Sequence, residues 1–363
     1  MIRVFMIGYS ENKGGVERYI GNLSSSLPAS EFEIIYSMPE MRIDGKLWKR
    51  PMNRHRFFSY AAFWKRFYKE TKIDVLYFNT CDVVSIDMLR FAKKAGIPIR
   101  IIHSHNSGIQ QAIGAKLSFF HRLSEQYNRK VLDRYATHFF ACSRAAGDWM
   151  FDGRPYTVIK NGIRISQHTF SKEKREKIRA SLGLKDELLV GIVGRISSQK
   201  NPLFSVNILN ALIRKVSTAH AVFLGDGELR QQTEKAVNDV ELQNSVHFIG
   251  NVDNVNEWMS AFDVLLIPSL FEGLPFVLIE AQAAGLPCVA SAAISHEADI
   301  SGKVRFVSLN DPLSIWSDAV LSAANSPRYD AMKELIAAGY SIDDCAESVA
   351  DLIKKAVGEG GTK

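Results

Sequence analysis

The chain has 363 residues, 46% of them hydrophobic, which is enough for two globular domains, each with its own core. A formal charge of +6 and a pI near 9.0 indicate an anionic partner, such as a nucleotide, a phospholipid surface or a nucleic acid. The four cysteines form no C-x-x-C pair and no apolar run reaches membrane-spanning length, so the composition favours a cytoplasmic protein with reduced thiols over a secreted or membrane-spanning one.

The N-terminal segment predicts a strand, a glycine loop and a helix in succession. Residues 2–8 form the strand, and their apolar run is too short for a signal peptide. The loop at 11–16 contains Gly14 and Gly15, which let backbone N–H groups approach a phosphate or a sugar before an amphipathic helix at 16–27. The loop lacks the G-x-G-x-x-G spacing, which disfavours a nicotinamide dehydrogenase and leaves a simple tight turn as the alternative.

Apolar strands alternate with amphipathic helical segments through the first half of the chain. The predicted strands lie at 33–36, 75–78, 99–103 and 138–142, and the predicted helices at 57–69, 83–94 and 116–135. Alternation of this kind favours an α/β fold with a parallel, doubly wound sheet.

A basic and aromatic segment runs from Arg42 to Lys72. The commonest structure for such a composition is a solvated helix face over an aromatic core stripe. Docking on an anionic membrane surface comes second, because cationic heads with aromatic anchors suit a membrane interface. Nucleic acid comes third, and we expect no nucleic-acid partner because no recognised motif accompanies the segment.

Two histidines lie at the carboxyl end of one predicted strand. His103 ends the strand at 99–103, and His105 lies in the polar turn that follows. Two histidines at positions i and i+2 with no third ligand nearby do not predict a metal site.

The polar stretch at 166–177 opens the second half of the chain, and a strand at 188–193 follows. That strand leads to Arg195, and Lys200 precedes a helix predicted at 203–214. The two cations suit a single diphosphate, because a guanidinium fork and a flexible point charge both complement phosphate oxygens. A pair of exposed basic residues is the alternative.

Two further strands end in glycine turns. They lie at 221–224 and 246–249, and Gly250 and Asn251 follow the second. The Asp-Gly-Glu sequence at 226–228 is the nearest approach to a D-x-D metal motif, but its glycines favour a turn. We therefore expect no required divalent metal and no other cofactor.

The rest of the chain is organised around a pair of glutamates. A strand predicted at 263–268 is followed by Glu272 and a helix at 276–284. Open parallel sheets bind ligands at the carboxyl ends of their strands, where the N–H groups of a helix's first turn attract phosphate. Glu272 lies at that edge, and Glu280 can return toward the same pocket. The alternative is that Glu272 caps the helix and Glu280 is a solvated helical position.

These two carboxylates, separated by seven residues, resemble the E-x7-E element of family-4-type retaining glycosyltransferases with the GT-B fold, as in capsular and exopolysaccharide enzymes. The resemblance covers almost the whole second half and the first half more loosely. The other motifs that match the family are the G-G-x-E-R loop at 14–18, the segment at 157–163 where the chain leaves the first domain, the Gly-Arg-x4-Lys motif at 194–200, Gly-Leu-Pro at 273–275, and the helix end and strand at 284–289. The chain departs from the pattern at Arg164, where the family often has an acid.

The resemblance implies two Rossmann-like, doubly wound domains that face each other across a cleft. The first, at 1–164, would take the acceptor, and the second, at 165–341, would bind the nucleotide sugar. A C-terminal helix at 342–363 would cross back to the first domain. The periodicity of 342–357 by itself predicts only that one face is buried.

The resemblance also assigns residue roles. Glu272 would accept hydrogen bonds from the donor hexose and Glu280 from the ribose, while His105 would contact the donor sugar or polarise the acceptor region. His103 remains a core or supporting group. The implied catalytic residues are Glu272, His105, Arg195 and Lys200. The implied donor-binding residues are Gly14, Gly15, Arg195, Lys200, Gly250, Asn251, Glu272, Gly273, Leu274, Pro275, Phe276 and Glu280.

The implied reaction is transfer of a hexose-type sugar, with retention of configuration, from a UDP-sugar first or a GDP-sugar second. The acceptor would be a hydroxyl of a glycan or a lipid-linked molecule, in surface polysaccharide synthesis at the inner face of the cell membrane. A sugar-nucleotide epimerase of the same architecture is one alternative. A noncatalytic basic protein that binds lipid or nucleic acid through 42–72 is another.

Overall fold

The computed structural model of the chain describes residues 1–9, 14–51, 57–106, 119–272 and 275–360. The chain forms two compact units. Unit 1 contains Met1–Gly162 and Ile342–Lys363, and unit 2 contains Ile163–Ser341. The predicted boundary lay after Arg164, and the chain contacts place it after Gly162.

Unit 1 is built on a parallel sheet with helices between its strands. Its strands are β1 (Ile2–Ile7), β2 (Phe32–Tyr36), β3 (Glu40–Ile43), β4 (Lys46–Lys49), β5 (Val75–Thr80), β6 (Ile99–Ser104), β7 (His138–Ala141) and β8 (Thr157–Val158). Its helices are α1 (Gly15–Ser26), α2 (Phe57–Thr71), α3 (Asp87–Lys94), α4 (Phe119–Val131) and α5 (Arg144–Phe151), together with a C-terminal helix described below. The sheet order is β2-β1-β5-β6-β7-β8, which confirms the predicted parallel α/β architecture.

Buried apolar side chains explain the centre of this sheet. Strand β5 pairs with β1, with Val75 opposite Val4, and with β6, with Val75 opposite Ile99. All three residues are buried. Strands in the middle of a parallel sheet have both faces covered by helices, so their sequences are nearly continuous apolar runs, and this is why β5 and β6 were predictable.

The basic and aromatic segment forms an antiparallel hairpin, β3–β4, and helix α2. The hairpin was not predicted. Its aromatic side chains pack inward, and Trp48, Tyr60, Trp64, Phe67 and Tyr68 are buried. Phe5 on β1 lies 5.0 Å from Phe67, ring centroid to ring centroid. The described part of the segment therefore corresponds to the first of the three alternatives, a solvated face over an aromatic core.

Two predicted helices of unit 1 have different boundaries in the structure. The helix predicted at 83–94 begins at Asp87, because the backbone before it turns and the Asp82 carboxylate accepts a hydrogen bond from Val84 N at 3.0 Å. The helix predicted at 116–135 ends at Val131 in α4 and continues as a 3₁₀ turn. Positions 116–118 of that prediction lie outside the described residues.

Unit 2 has the same layered construction. Its strands are β9 (Leu189–Val193), β10 (His220–Leu224), β11 (Val246–Gly250), β12 (Val264–Ile267), β13 (Cys288–Ser291) and β14 (Val304–Val307). Its helices are α6 (Lys172–Ser181), α7 (Pro202–Lys215), α8 (Arg230–Asp239), α9 (Val255–Ala261), α10 (Phe276–Ala283), α11 (Leu313–Ala324) and α12 (Met332–Ala337). The strands are parallel in the order β11-β10-β9-β12-β13-β14.

Helix α6 begins within the polar stretch at 166–177, where the sequence pattern predicted no particular element. It begins at a capping residue, since the Ser171 side chain accepts a hydrogen bond from Lys174 N. Arg175 and Arg179 reach from the helix to Asp263, at 2.6 and 3.3 Å, and both donate to the carbonyl oxygen of Ala261. The arginines thus hydrogen-bond to the last carbonyl of α9, which the helix itself leaves unpaired.

The last described helix, α13 (Ile342–Gly360), belongs to unit 1, where it packs on α1. Its buried face contains Ile342, Cys345, Val349 and Ile353, which is the face that the sequence periodicity predicted. Cys345 Sγ lies 3.3 Å from the carbonyl oxygen of Lys160.

Among the helices of the described residues, none combines the length and the apolar character that crossing a bilayer requires.

Candidate functional site

Glycines end three neighbouring strands of unit 2 at their carboxyl edge. Gly250 ends β11, Gly225 follows β10 and Gly194 follows β9, with φ values of +82°, +141° and +139°. A Cβ atom at Gly225 would lie 2.1 Å from the carbonyl oxygen of Gly194. The backbones at Gly194 and Gly225 are so close that only residues without a Cβ atom fit there. The carboxyl edge of the sheet therefore stays open to a ligand.

The loops after β9 and β12 are joined by hydrogen bonds. Gln199 Nε2 donates to the backbone carbonyl of Phe271 at 3.1 Å, and the backbone carbonyl of Gln199 accepts from Leu270 N at 2.9 Å. Asn201 Nδ2 donates to the carbonyl of Pro268 at 3.3 Å. Asn201 has φ +54°, a left-handed conformation that asparagine tolerates better than most residues. The Gln-Lys-Asn sequence therefore fixes the position of the loop that carries Glu272.

Lys200 and Glu272 form an ion pair at the centre of this arrangement. Lys200 Nζ lies 2.5 Å from Glu272 Oε1, and Gln199 Nε2 lies 3.2 Å from Glu272 Oε2. The carboxylate is buried and the ammonium is partly exposed. A Cβ atom at Gly194 would lie 3.0 Å from Lys200 Cε, so glycine leaves room for the lysine chain. The sequence placed Lys200 and Glu272 on the same edge, and the structure brings them into contact.

Arg195 lies beside this pair but has a different partner. It borders the same hollow as Lys200, at the ends of β9 and β12, yet its side chain is 72% exposed and its Nε atom lies 3.2 Å from Glu228 Oε2. Arg195 and Lys200 therefore border one space but pair with different carboxylates, Glu228 and Glu272. Asn251, also predicted, is exposed immediately after Gly250.

The predicted helix after the glutamate turn is α10. Pro275 is its N-cap residue, and Phe276 and Glu280 are buried. Gly273 and Leu274, which belong to the predicted donor-binding set, lie outside the described residues. Every residue of α10 is buried, so Glu280 is not the solvated helical position that the alternative interpretation required.

The remaining predicted residues lie in unit 1. Gly14 is the N-cap of α1 and has no side chain to cap it, and Gly15 is the exposed first residue of the helix. A Cβ atom at Gly14 would lie 2.5 Å from Glu17 Oε2. The loop before Gly14 is not among the described residues.

His105 follows β6 and is oriented by Asn79. Asn79 Nδ2 donates to the carbonyl of Ile7 at 3.1 Å, so its Oδ1 faces His105 Nε2 at 2.9 Å. Since Oδ1 can only accept, Nε2 is the protonated ring nitrogen and Nδ1 is an acceptor. The backbone of His105 is also fixed, because its N–H donates to the carbonyl of Thr80 at 3.0 Å.

His103 lies in a buried chain of polar groups under His105. Its Nδ1 is 3.0 Å from the Tyr77 hydroxyl, which is 2.8 Å from the Tyr19 hydroxyl. The two histidine rings lie 4.1 Å apart, centroid to centroid. Burial lowers the pKa of His105 to about 3, and burial together with the neighbouring His105 lowers the pKa of His103 well below its ordinary value. Both imidazoles are therefore neutral near pH 7.

The four cysteines and the acidic residues that the structure describes do not form a metal centre. Burial raises the pKa of Cys142 to about 12 and, with nearby acids, that of Cys81 to about 11. In the part of the chain that the structure describes, no three His, Cys, Asp or Glu side chains gather as metal ligands would.

Some residues at this edge were not singled out from the sequence. Gln199 contacts Glu272, and Ser269 borders the hollow with a buried hydroxyl that has no hydrogen-bond partner among the described residues. The signal for Gln199 was its place next to Lys200, but a lone Gln or Ser carries no motif. Gly225 was noted only as a turn residue, and its contact with Gly194 depends on strand order, which the sequence does not reveal.

The chain matches two family descriptions. Residues 187–325 match the model for glycosyl transferases group 1, and residues 13–167 match the model for glycosyltransferase family 4. The chain is 32% identical over 272 residues to the putative glycosyltransferase EpsF of Bacillus subtilis, covering 72% of this chain and 69% of that relative. It is 25% identical over 228 residues to the UDP-Gal:alpha-D-GlcNAc-diphosphoundecaprenol alpha-1,3-galactosyltransferase of Escherichia coli, covering 61% of this chain and 59% of that one.

Solved structures show the same fold at low sequence identity. Anabaena Alr3699/HepE in complex with UDP-glucose superposes with a TM-score of 0.72 at 16% identity, covering 100% of this chain and 99% of that one. WaaG, a glycosyltransferase involved in lipopolysaccharide biosynthesis, superposes with a TM-score of 0.67 at 18% identity, covering 98% of each chain. With these matches and its two parallel-sheet units, the chain belongs to the family-4-type glycosyltransferases of group 1, with the GT-B fold.

Proposed function

We propose that this glycosyltransferase moves a hexose-type sugar, with retention of configuration, from a UDP-sugar first or a GDP-sugar second to a hydroxyl of a glycan or lipid-linked acceptor in surface polysaccharide synthesis. One observation carries the proposal. Lys200 Nζ and Glu272 Oε1 lie 2.5 Å apart at the carboxyl edge of the unit 2 sheet, where an ammonium suits a phosphate and a carboxylate suits sugar hydroxyls.

The names of relatives support the donor and the acceptor class. The Escherichia coli relative is named for transfer from UDP-Gal to a diphosphoundecaprenol-linked sugar. A Campylobacter jejuni relative, 25% identical over 300 residues, is named for an acceptor on PP-undecaprenol. These names favour a UDP-sugar donor and a lipid-linked acceptor for this chain.

Donor binding would use the glycine-ended strands and the residues around them. The Lys200 ammonium would be shared between Glu272 and a phosphate oxygen, and the Arg195 guanidinium would turn from Glu228 to the same diphosphate. Gly250 and Asn251 would border the base, and Glu280 would accept from the ribose hydroxyls. The first-turn N–H groups of α10 would face the phosphate as charge builds on it.

The transfer itself would need no protein nucleophile. The acceptor oxygen would bond to the anomeric carbon from the side of the leaving diphosphate while the bond from that carbon to the diphosphate oxygen breaks. The acceptor proton would pass to a donor phosphate oxygen. Glu272 would hold the hexose hydroxyls, and Lys200 and Arg195 would stabilise the negative charge of the departing diphosphate more strongly in the transition state than before it.

Unit 1 would supply the acceptor side. A cavity of about 500 Å³ lies at the carboxyl ends of β1 and β5, and Ile7, Arg50, Phe78 and Asp82 are among the residues that line it. Its mixed polar and apolar lining suits a sugar carried on a lipid. Neutral His105 would accept a hydrogen bond at Nδ1 from a sugar hydroxyl.

We also propose that the reaction requires no divalent metal and no other cofactor, since two cations and a helix N-terminus suffice to stabilise a diphosphate. Turnover that survives EDTA supports this, and turnover restored only by added Mg²⁺ or Mn²⁺ overturns it.

Contact with the inner face of the cell membrane is part of the same proposal, because a lipid-linked acceptor lies in a bilayer. Within 42–72 that contact would rest on exposed cations such as Lys65, Arg66 and Lys69, since the aromatic side chains named above are buried.

The test is a thermal-shift panel of UDP, GDP, ADP, CMP and their common sugar conjugates. A ligand that binds only the folded state raises the melting temperature, and UDP or a UDP-sugar should give the largest shift. Lys200→Ala should weaken UDP affinity roughly tenfold to hundredfold, the cost of a charged hydrogen bond, while Lys215→Ala, an exposed lysine paired with Asp318, should not.

No shift with any nucleotide would overturn the donor assignment. Equal UDP affinity in Lys200→Ala and the Lys215→Ala control would overturn the role of Lys200. Retention is tested separately, by determining the anomeric configuration of the product by NMR.

A further inference from the structure

Ser269 lies where the strand order of unit 2 changes direction. The chain runs from β9 to β10 and β11 on one side of the sheet, and from β12 to β13 and β14 on the other, so that β9 and β12 are neighbours. Open α/β sheets bind their ligands in the crevice at such a switch point, outside the carboxyl ends of the strands. Ser269 is the second residue after β12 and therefore lies at that crevice.

The Ser269 hydroxyl is buried and has no hydrogen-bond partner among the described residues. The residue is 0% exposed. The other buried serines in the described part of unit 2 each have a partner for their Oγ atom: Ser205, Ser260, Ser291 and Ser317. Burying a hydroxyl without a hydrogen bond is unfavourable, so Ser269 is typical of a residue whose partner is a ligand.

The loop around Ser269 is held by contacts that do not involve the hydroxyl. The carbonyl of Pro268 accepts from Asn201 Nδ2 at 3.3 Å, and Leu270 N donates to the backbone carbonyl of Gln199 at 2.9 Å. Both chain neighbours of Ser269 are fixed in this way. Within the described part of the chain, no contact of the hydroxyl supports a structural role.

Ser269 borders the hollow at the ends of β9 and β12, together with Arg195 and Lys200. The hollow has a volume of about 10 Å³, which is room for about one oxygen atom. The other described residues that line it are apolar, and none of them is acidic. A hydroxyl donor beside two cations favours an anionic oxygen, because hydrogen bonds to ionised oxygens are stronger than neutral ones.

We propose that the Ser269 hydroxyl donates a hydrogen bond to an oxygen of the donor's distal phosphate, the phosphate that is bonded to the hexose. Lys200 borders the same hollow and lies 2.5 Å from Glu272, the residue to which we assign the hexose hydroxyls. An oxygen in this hollow therefore belongs to the phosphate next to the hexose. Negative charge builds on that phosphate as its bond to the anomeric carbon breaks, so the Ser269 hydroxyl binds the leaving group where its charge increases.

The Ser269 contact rests on the proposed function, because the donor site is the same. The two remain separable by experiment. Binding of UDP by the parent chain tests the donor assignment, and the difference between the parent and a Ser269 variant tests the contact.

The experiment is calorimetric titration of the full chain and of Ser269→Ala with UDP and with UMP, with competition against UDP where the heat of UMP binding is small. Ser269→Ala should weaken UDP affinity about tenfold to hundredfold, the contribution of a hydrogen bond to a charged group. UMP lacks the distal phosphate, so its affinity should be the same in the variant and the parent.

The matched control is Ser260→Ala, which removes a buried hydroxyl of α9 that accepts from Ser171 N at 3.2 Å. Without ligand, Ser260→Ala should melt below the parent, because Ser171 N loses this acceptor, and it should bind UDP as the parent does. Without ligand, Ser269→Ala should melt at or above the parent's temperature, because it removes a buried hydroxyl that has no partner among the described residues.

Three results would overturn the role of Ser269. They are equal UDP affinity in Ser269→Ala and the parent, an equal loss of UDP and UMP affinity in Ser269→Ala, and a fall in the unliganded melting temperature of Ser269→Ala as large as that of Ser260→Ala. Each of them leaves the proposed function standing if the parent binds UDP. An absence of UDP binding by the parent would overturn the donor assignment and the Ser269 contact together.

Discussion

At the scale of single residues, the Glu272 carboxylate has two hydrogen-bond donors, Lys200 and Gln199. Glu272 already accepts from Lys200 and Gln199, so it is held in place before any sugar hydroxyl reaches it. Preorganisation of this kind removes the need to reorient a polar group during the reaction. The amide of a glutamine would keep the shape but lose the charge.

We therefore expect Glu272→Gln to lower turnover roughly tenfold to hundredfold, the difference that a charged hydrogen bond makes, while UDP still binds. The measurement is a donor-consumption assay beside UDP titration. Glu176→Gln, an exposed carboxylate paired with Lys172, is the control. Near-parent turnover in Glu272→Gln would reject its proposed role.

His105 makes the free energy of unfolding of unit 1 depend on pH. Its pKa is about 3 in the folded chain, below the value of about 6.5 for an unfolded histidine, so the unfolded chain binds the extra proton first. The contribution to stability is complete above about pH 6.5 and is lost as pH falls toward 3. His105→Gln should flatten the curve of unfolding free energy against pH between 6.5 and 4, measured by urea denaturation.

Above pH 7 the parent and His105→Gln should show the same slope, because the histidine is neutral in both states there. Identical slopes below pH 6 would contradict the assignment. The same neutrality matters for chemistry, since His105 would act as a hydrogen-bond acceptor and not as a cation.

At the scale of elements, apolar periodicity was sufficient where an element is buried. The central strands β5, β6, β9 and β12 are rich in apolar residues, and their positions followed from where those residues lie along the sequence. The β3–β4 hairpin and α6 were missed because their sequences are polar and depend on tertiary contacts: the hairpin packs Trp48 against α2, and α6 is held by Asp263.

The candidate site also has a part that local sequence predicted and a part that depends on tertiary structure. Glu272, Lys200 and Arg195 were found because they follow strands at known spacings. The contact of Gln199 with Glu272 and the close approach of Gly225 to Gly194 arise from the order of strands in the sheet, which no local pattern contains.

The arginines around Asp263 give the sharpest test at this scale. Arg179 is almost fully buried, and Asp263 supplies its charge partner while also accepting from Leu189 N at 2.8 Å. Asp263→Asn should destabilise unit 2 by about 3–5 kcal/mol, since it leaves a buried cation without its counter-charge. Urea denaturation measures this. Asp318→Asn, whose exposed carboxylate pairs with Lys215, should change stability by less than about 0.5 kcal/mol, and equal effects of the two variants would contradict the argument.

At the scale of the whole molecule, unit 1 is assembled from two separated parts of the chain. Helix α13 follows all of unit 2 in sequence and yet buries Val349 and Ile353 in unit 1. The stability of unit 1 therefore depends on residues that a linear division of the sequence would assign to the end of unit 2.

We expect Ile353→Ala to destabilise unit 1 by about 2–5 kcal/mol, the cost of a large-to-small change in a core. Hydrogen exchange read by mass spectrometry should show faster exchange in β1, β5 and β6, with β9 and β10 of unit 2 unaffected. Ile336→Ala, on the exposed side of α12, serves as the control. Faster exchange confined to unit 2 would contradict the placement of α13.

The late position of α13 has a consequence for synthesis on the ribosome. Unit 2 is continuous from Ile163 to Ser341, so all of its strands are translated before α13 is. Domains fold as units as the chain emerges, so unit 2 can reach its native state on the nascent chain while the first 162 residues still wait for the helix that covers them. Unit 2 is therefore complete in the nascent chain before unit 1 is, although unit 1 begins the chain.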